Sequence, residues 1–395
     1  GRYCAYEGIS CSSVGLTYGM STDKFVQEVR LASKSSTSVE WLIGGFYTHE
    51  HSENLQAFTL RDLAGQLAPN DILSFFGPSR YQEYATFGDG TWHLTGKFDV
   101  SAGIRYARNN QDFAQTDTGL LGLSAPVIHG SDDVFTYLAD ARYHFSDHAT
   151  GYLRYATGYR PGGPNFTARN AATGLSIGSP TFQPDSLRSY EIGRKTEAAD
   201  RRFSLDLAGY YIDWNNIQIS VMQGGFGAVA NAPGGATVRG SELTLTVRPV
   251  EEFTLTGAFA YQDARLSQAE PNLGATQGGQ QLPNVPRYTG TLNADYHFPV
   301  TRLGASVGAT VRYVSDRMAS FNDSAPNPPN PQYRLPEYRT VDLRTDLVVH
   351  SVDLQLYVHN LLDERGQLSA FTWEGLPRPS LIQPRTLGMT VSMRF

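Results

Sequence analysis

The residues with chemistry to offer are few and scattered. His49-Glu50-His51 is the tightest group of metal-ligand types. On an extended strand, residues two apart share a face, so His49 and His51 can approach one ion together. A third ligand is not evident beside them, and the polar end of a strand suits two histidines equally well, so no metal ligand is assigned. Aromatic residues with hydrogen-bonding neighbours recur instead: Phe75-Phe76, Arg160 with Asn165-Phe166, Phe226, Phe321-Asn322, Phe371 and Trp373-Glu374. Such groupings suit sugars, aromatic compounds or chelates, and they equally serve to pack loops on one another. Phe76, Arg160, Asn165, Phe166, Phe321, Phe371 and Trp373 are the substrate-contact candidates. Gly162-Gly163-Pro164 reads as a turn rather than a phosphate cradle, because no helix follows it. There is no nucleophile elbow, phosphate loop or HExxH motif and no convincing carboxylate pair, so the chain is read as a non-enzyme with no cofactor.

The elements that must carry these residues are legible from the end of the chain. From Arg385 to Phe395, apolar and polar residues alternate: Leu387, Met389, Val391, Met393 and Phe395 on one face, Thr386, Gly388, Thr390, Ser392 and Arg394 on the other. A period of two means an extended strand. Ending on an aromatic suits a strand with hydrocarbon outside and water inside. The same alternation opposes Val307, Val311 and Tyr313 to Ser306, Thr310 and Arg312, and Leu354, Leu356 and Val358 to Asp353, Gln355 and His359. Arginines Arg312, Arg344 and Arg394 all fall on the polar side. An arginine facing lipid at mid-membrane would cost roughly 2–4 kcal/mol.

Between the strands, short and long connections take turns. Short turns are expected at 34–37, 95–97, 146–148, 198–200, 249–251, 299–302 and 350–351. Long loops are expected at 52–80, 114–131, 160–185, 222–235, 267–286, 318–336 and 366–384. Leucines at 60, 63 and 67 have helical spacing and predict a short helix within the first long loop. Asn322–Gln332 is rich in Pro and Asn and reads as a stiff exposed loop. The expected fold is all-β: a transmembrane antiparallel β-barrel with about fifteen strands. An odd count leaves the first and last strands parallel, so either residues 1–23 supply another strand, with Val14–Met20 as the candidate, or further strands lie upstream of the chain, which is the expectation.

Composition supports this. With 18% charged residues and a mean hydropathy of −0.33, the chain is too polar for a bundle of spanning helices. Glycine (39), tyrosine (22) and phenylalanine (20) suit strands, turns and aromatic girdles. A net charge of −6 argues against nucleic acid as the main partner. Cys4 and Cys11 can close a small loop in an oxidising compartment or stay as thiols. No signal peptide precedes Gly1, and an outer-membrane protein is made with one, so more sequence is expected upstream.

Several stretches resemble the barrel of TonB-dependent outer-membrane receptors, the active importers of Gram-negative bacteria. They are Phe25–Leu31, Tyr152–Asn165, Ser189–Gly193, Tyr211–Ile217, Val238–Glu242, His359–Asp363 and Pro384–Phe395, which in order span nearly all of residues 24–395. The resemblance implies a barrel of twenty-two strands with a plug domain inside it. Residues 24–395 would be part of that barrel, and residues 1–23 the remnant of an extracellular loop. It also implies import of a scarce nutrient such as an iron–siderophore across the bacterial outer membrane. The implied partners are the TonB–ExbB–ExbD complex, acting through a plug not seen in this sequence, the outer-membrane lipid, and the barrel-assembly machinery at the C-terminal strand. A passive porin-like channel and a surface-binding structural barrel are the alternatives.

Overall fold

Alternating side chains joined by tight turns can form only one regular object, a meander in which each strand pairs with the next. The computed structural model shows this meander and describes residues 11–34, 38–67, 71–119, 121–123, 125–169, 175–223, 226–273, 275, 277–299, 304–321, 333–373 and 376–393. Fifteen antiparallel strands make one sheet in strict chain order. They are β1 (Cys11–Ala32), β2 (Val39–Asp62), β3 (Leu73–Thr95), β4 (Phe98–Thr118), β5 (Ala125–Ser146), β6 (Ala149–Arg160), β7 (Asp185–Glu197) and β8 (Phe203–Asn215). Then follow β9 (Ala236–Val250), β10 (Phe253–Leu266), β11 (Tyr288–Phe298), β12 (Gly304–Val314), β13 (Tyr338–Val349), β14 (Val352–His359) and β15 (Thr386–Met393). Among the described residues β1 and β15 are the two edges, and both run toward the short-turn end, so they cannot pair with each other antiparallel.

Among the described residues, the short turns at 95–97, 146–148, 198–200, 249–251 and 350–351 fall where the sequence places them, while those expected at 34–37 and 299–302 lie largely outside the described residues. The long loops are more ordered than expected. β2 continues to Asp62 and β3 starts at Leu73, so most of the expected 52–80 loop is a hairpin that stands well beyond the membrane. β1 likewise extends back from the expected Phe25 to Cys11, hydrogen-bonded along β2. The helix expected from the leucines at 60, 63 and 67 does not form. Leu60 and Asp62 finish β2, and the Asp62 carboxylate accepts the Ala64 and Gln66 amides at 2.9 and 2.8 Å. That side-chain turn competes with the helix for the same amides. Other loop segments fold as small hairpins, Ile217–Gln223 with Phe226–Ala232 and Gln367–Trp373 with Leu376–Leu381. The Asn322–Gln332 loop, Cys4 and Phe395 lie outside the described residues, as does the Cys11 side chain.

The two faces of the sheet differ as the alternation requires. Outward positions carry exposed apolar side chains, with Leu292, Leu356, Leu387, Met389, Val391 and Met393 among them. Aromatic rings gather at two heights. Toward the long loops run Phe25, Tyr47 and Tyr84, then Tyr106 and Phe135, then Tyr155, Tyr190 and Tyr211, with Phe259 and Tyr288 beyond; neighbouring centroids are 4.8–6.4 Å apart. Toward the short turns lie Tyr143 with Phe145 and Tyr296 with Phe298, accompanied by exposed Trp41, Trp92 and Phe203. Tyr84 and Trp92 on β3 are about eight residues apart, roughly 26 Å along a strand and about 20 Å along the normal at a 40° tilt. That is slightly less than the band of about 25 Å that lies between two aromatic girdles. No helix among the described residues is long and apolar enough to cross a membrane; the strands do so.

Candidate functional site

The inward face is a wall of paired charges. Arg105 binds Glu83 at 2.6 Å, Tyr81 donates to the same carboxylate at 2.6 Å, and the guanidinium lies over Phe46 and Phe87. Farther round, Arg142 contacts Asp140 at 2.8 Å and donates to Ser101 at 2.7 Å. Tyr152 donates to Glu191 at 2.7 Å, and Lys195 meets Asp206 at 2.9 Å. Arg312 pairs with Asp342, and Arg344 with Asp295. Near the short turns, Asp99 holds His93 and His144 at 2.8 Å each. Because inward residues of adjacent strands stand side by side, opposite charges at paired positions neutralise one another without leaving water. Between β6 and β9 the wall opens into a pocket of about 510 Å³ lined by Tyr152, Glu191, Lys195, Asp206, Tyr210 and Glu242. A surface of this kind can hold a polar, hydrogen-bonding body or solute, and it offers no poised nucleophile.

Above the outer girdle, the loops fold back onto this inward face. Ile217, Ile219, Leu282 and Phe321 from the loops pack on Val238, Ala264 and Leu266 of β9 and β10 in one apolar cluster. Two polar clamps fix the loops in place. At the head of β6, Arg160 grips Asp185 at the start of β7 with Nε at 3.1 and 3.0 Å from its two oxygens, and lies over the Trp214 ring. Gln218 N donates to the same Asp185 carboxylate at 3.0 Å. The second clamp is Asn165, whose side chain donates to Val229 O at 2.8 Å and accepts from Val229 N at 2.9 Å, which adds a rung to the hairpin. Beside it Phe166 meets Phe75 edge-on at 4.8 Å. Asp117, 8% exposed, accepts from Gln115 and from Leu123 N, while its Oδ1 has no partner among the described residues. Loss of water pushes this carboxyl above its ordinary range, and the bonds from Gln115 and Leu123 N–H hold it back only in part.

The sequence-derived candidates are thus distributed over different tasks. Arg160, Asn165 and Phe166 come together, but as the mortar between loops, and Phe321 is 5% exposed inside the apolar cluster. Phe76 has the outward parity of Tyr84 and Trp92 and is 39% exposed on that side. Its neighbour Phe75 is the inward residue, 2% exposed. Phe371 and Trp373 lie on the Gln367–Trp373 strand, and their side chains are outside the described residues, as is that of Phe226. Leu387, Met389, Val391 and Met393 line the outer face of β15. His49 meets Gln82 at 3.1 Å and His51 meets Glu53 at 3.7 Å, two separate arrangements on the outer side. Tyr81, Glu83, Arg105 and Asp185 were not singled out by sequence; strand parity points Glu83 and Arg105 inward, whereas Asp185 falls within the expected 160–185 loop and Tyr81 just ahead of the expected strand.

Comparison with known proteins gives a consistent picture. The model of the family described as "TonB dependent receptor-like, beta-barrel" matches residues 8–361. The metal-pseudopaline receptor CntO of Pseudomonas aeruginosa is 30% identical over 227 residues, covering 56% of this chain and 29% of that protein. The catecholate siderophore receptor Fiu of Escherichia coli is 24% identical over 330 residues, covering 79% of this chain and 41% of that protein. Among solved structures, the ferric yersiniabactin uptake receptor FyuA from Yersinia pestis superposes with a TM-score of 0.79 at 20% identity, over 97% of this chain and 56% of that one. The chain therefore spans less than half the length of these two curated relatives.

Proposed function

The chain belongs to the family of TonB-dependent receptor β-barrels, and from that premise we propose that it forms part of the wall of an outer-membrane importer for a scarce chelated nutrient, a metal–siderophore complex or a close equivalent. The observation that carries the reading is the pairing of a lipid-facing exterior with an inward wall of compensated charges under clamped, partly apolar loops. A wall of this type lets a polar body fill the pore and yet leave it, since most of the wall charges described above already have a local partner. Import against scarcity needs energy, which in this reading TonB with ExbB and ExbD delivers to a plug seated against the wall. The outward row on β15 is proposed as the segment the barrel-assembly machinery reads. The names of the relatives, receptors for metal-pseudopaline and catecholate siderophores, support the substrate class.

The test is uptake of radioactive iron, presented as a panel of siderophore chelates, into cells with and without the full-length gene. The reading expects uptake of at least one chelate that needs the gene and stops when the proton-motive force is dissipated. Uptake that survives dissipation would instead support the passive channel.

A further inference from the structure

Where the lumen wall meets the short turns, one histidine faces carboxylates with both of its ring nitrogens. We propose that His93 is a proton-operated switch that ties Glu40 of β2 to Asp99 of β4 when charged and releases Glu40 into the lumen when neutral. His93 stands on β3 between Trp92 of the inner girdle and the turn at 95–97, below the hydrocarbon band. Its Nδ1 lies 2.8 Å from Asp99 Oδ1, and its Nε2 lies 3.6 Å from Glu40 Oε1. An ionised carboxylate only accepts hydrogen bonds, and a neutral imidazole carries a single N–H. Two carboxylates on opposite sides of one ring are therefore both served only by the doubly protonated form.

His144 looks similar and differs in kind. Its Nε2 is 2.8 Å from Asp99 Oδ2, but its Nδ1 meets the Thr150 hydroxyl at 3.0 Å. A hydroxyl can donate, so the neutral ring gives its one N–H to Asp99 and accepts the Thr150 O–H. Asp99 is buried with both oxygens engaged and forms the fixed side of the tie, whereas Glu40, 39% exposed, is the side that can let go. Strand parity turns all four groups inward, with Glu40 beside Thr91, Asp99 opposite His93 and His144 opposite Thr150. Among the described residues, the other charged neighbours are occupied or remote. Arg142 of β5, opposite Asp99, is held by Asp140 and donates to Ser101, and Lys97 in the turn is exposed.

The bond to Asp99 most of all, and the Glu40 carboxylate after it, hold the His93 imidazolium above the ordinary histidine range against a partial loss of water. The tie is thus complete below the ordinary range and is lost as pH rises through the elevated folded value. Above that value the wall is more negative by one charge, and a polar body seated there meets a free carboxylate. This last consequence, unlike the switch itself, rests on the reading of the chain as an importer wall.

The experiment uses the full-length receptor in lipid nanodiscs, with hydrogen exchange read by mass spectrometry at pH 6 and pH 9 and each amide corrected for its intrinsic rate. Release of Glu40 loosens the end of the β2–β3 pair, where the His93 amide donates to Ser38 O at 3.0 Å. Protection of residues 38–41 and 92–94 should be about two- to fivefold greater at pH 6 than at pH 9, the worth of one exposed ion pair. His93→Gln and Glu40→Gln should each abolish the difference, and His144→Gln should keep it. In a receptor labelled with 15N-histidine, Glu40→Gln should also lower the pH at which His93 loses its proton, which a merely structural role for Glu40 would not do. Equal protection at both pH values in the wild type, a difference that survives in Glu40→Gln, or one that disappears in His144→Gln would overturn the proposal. None of these readouts involves transport, so their failure leaves the importer reading standing.

Discussion

Removing the carboxylate at the head of β7 should loosen the outer loops without unfolding the barrel. Asp185 has a side chain only 1% exposed and serves Arg160 and the Gln218 amide together. Asp185→Ala therefore leaves a guanidinium and a backbone donor without their acceptor. Breaking a buried pair from one side costs about 3–5 kcal/mol. The Arg160 side chain is 47% exposed and can regain water, which lowers the expected loss to about 2–3 kcal/mol. Hydrogen exchange followed by mass spectrometry should then show amides of Ile217–Gln223 and Phe226–Ala232 exchanging about 30- to 150-fold faster. Amides of β11 and β12, remote from the clamp, should keep their protection. Arg160→Gln should have a smaller effect, and the double variant should lose little beyond Asp185→Ala alone. Exchange within threefold of wild type in the hairpin, or acceleration spread evenly over all fifteen strands, would refute the clamp.

Three further outcomes follow from the same geometry. Leu243→Arg places a charge toward lipid between the girdles and should cost roughly 2–4 kcal/mol in refolding into vesicles, whereas Thr244→Arg, beside Glu242 in the inward pocket, should refold like wild type. A Cβ at Gly193 would come within 2.4 Å of the Tyr152 ring, so Gly193→Val must push the ring off its seat and break the Tyr152–Glu191 bond; a destabilisation of about 1–3 kcal/mol is expected in urea unfolding. Burial raises the Asp117 carboxyl, so the folded corner favours the protonated form. Its stabilisation is complete below the ordinary aspartate range and disappears as pH rises through the elevated folded value. Protection of residues 115–123 should accordingly be greater at pH 5 than at pH 7, and Asp117→Asn should remove that difference and leave the corner at least as stable at pH 7.

Sequence alone showed the membrane-spanning half of each strand well, because lipid outside and water inside force a strict two-residue period. Thr310 and Val311 are one residue apart, yet one is 8% exposed and the other 41%. Beyond the girdle both faces are wet, the contrast between them fades, and Ser52–Asp62 no longer reads as a strand although it is one. The candidate contacts suffered from the same one-residue sensitivity. Phe75 and Phe76 differ only in parity, and a single step moves a side chain from the vestibule to the outer surface. Arg160 and Asn165 carry groups a ligand would use, but their partners, Asp185 and Val229, are 25 and 64 residues away. Residue type gave the chemistry of these side chains, and only the register gave its object.

The claim on which the rest depends is the direction each face points. Single cysteines at 306 to 311 on β12, introduced into the full-length protein in vesicles, carry nitroxide labels whose collisions with oxygen and with a water-soluble nickel chelate are measured. The account predicts high oxygen accessibility at Val307, Ala309 and Val311, and dominance of the nickel chelate at Ser306, Gly308 and Thr310. A reversed alternation, or equal values at all six positions, would contradict it.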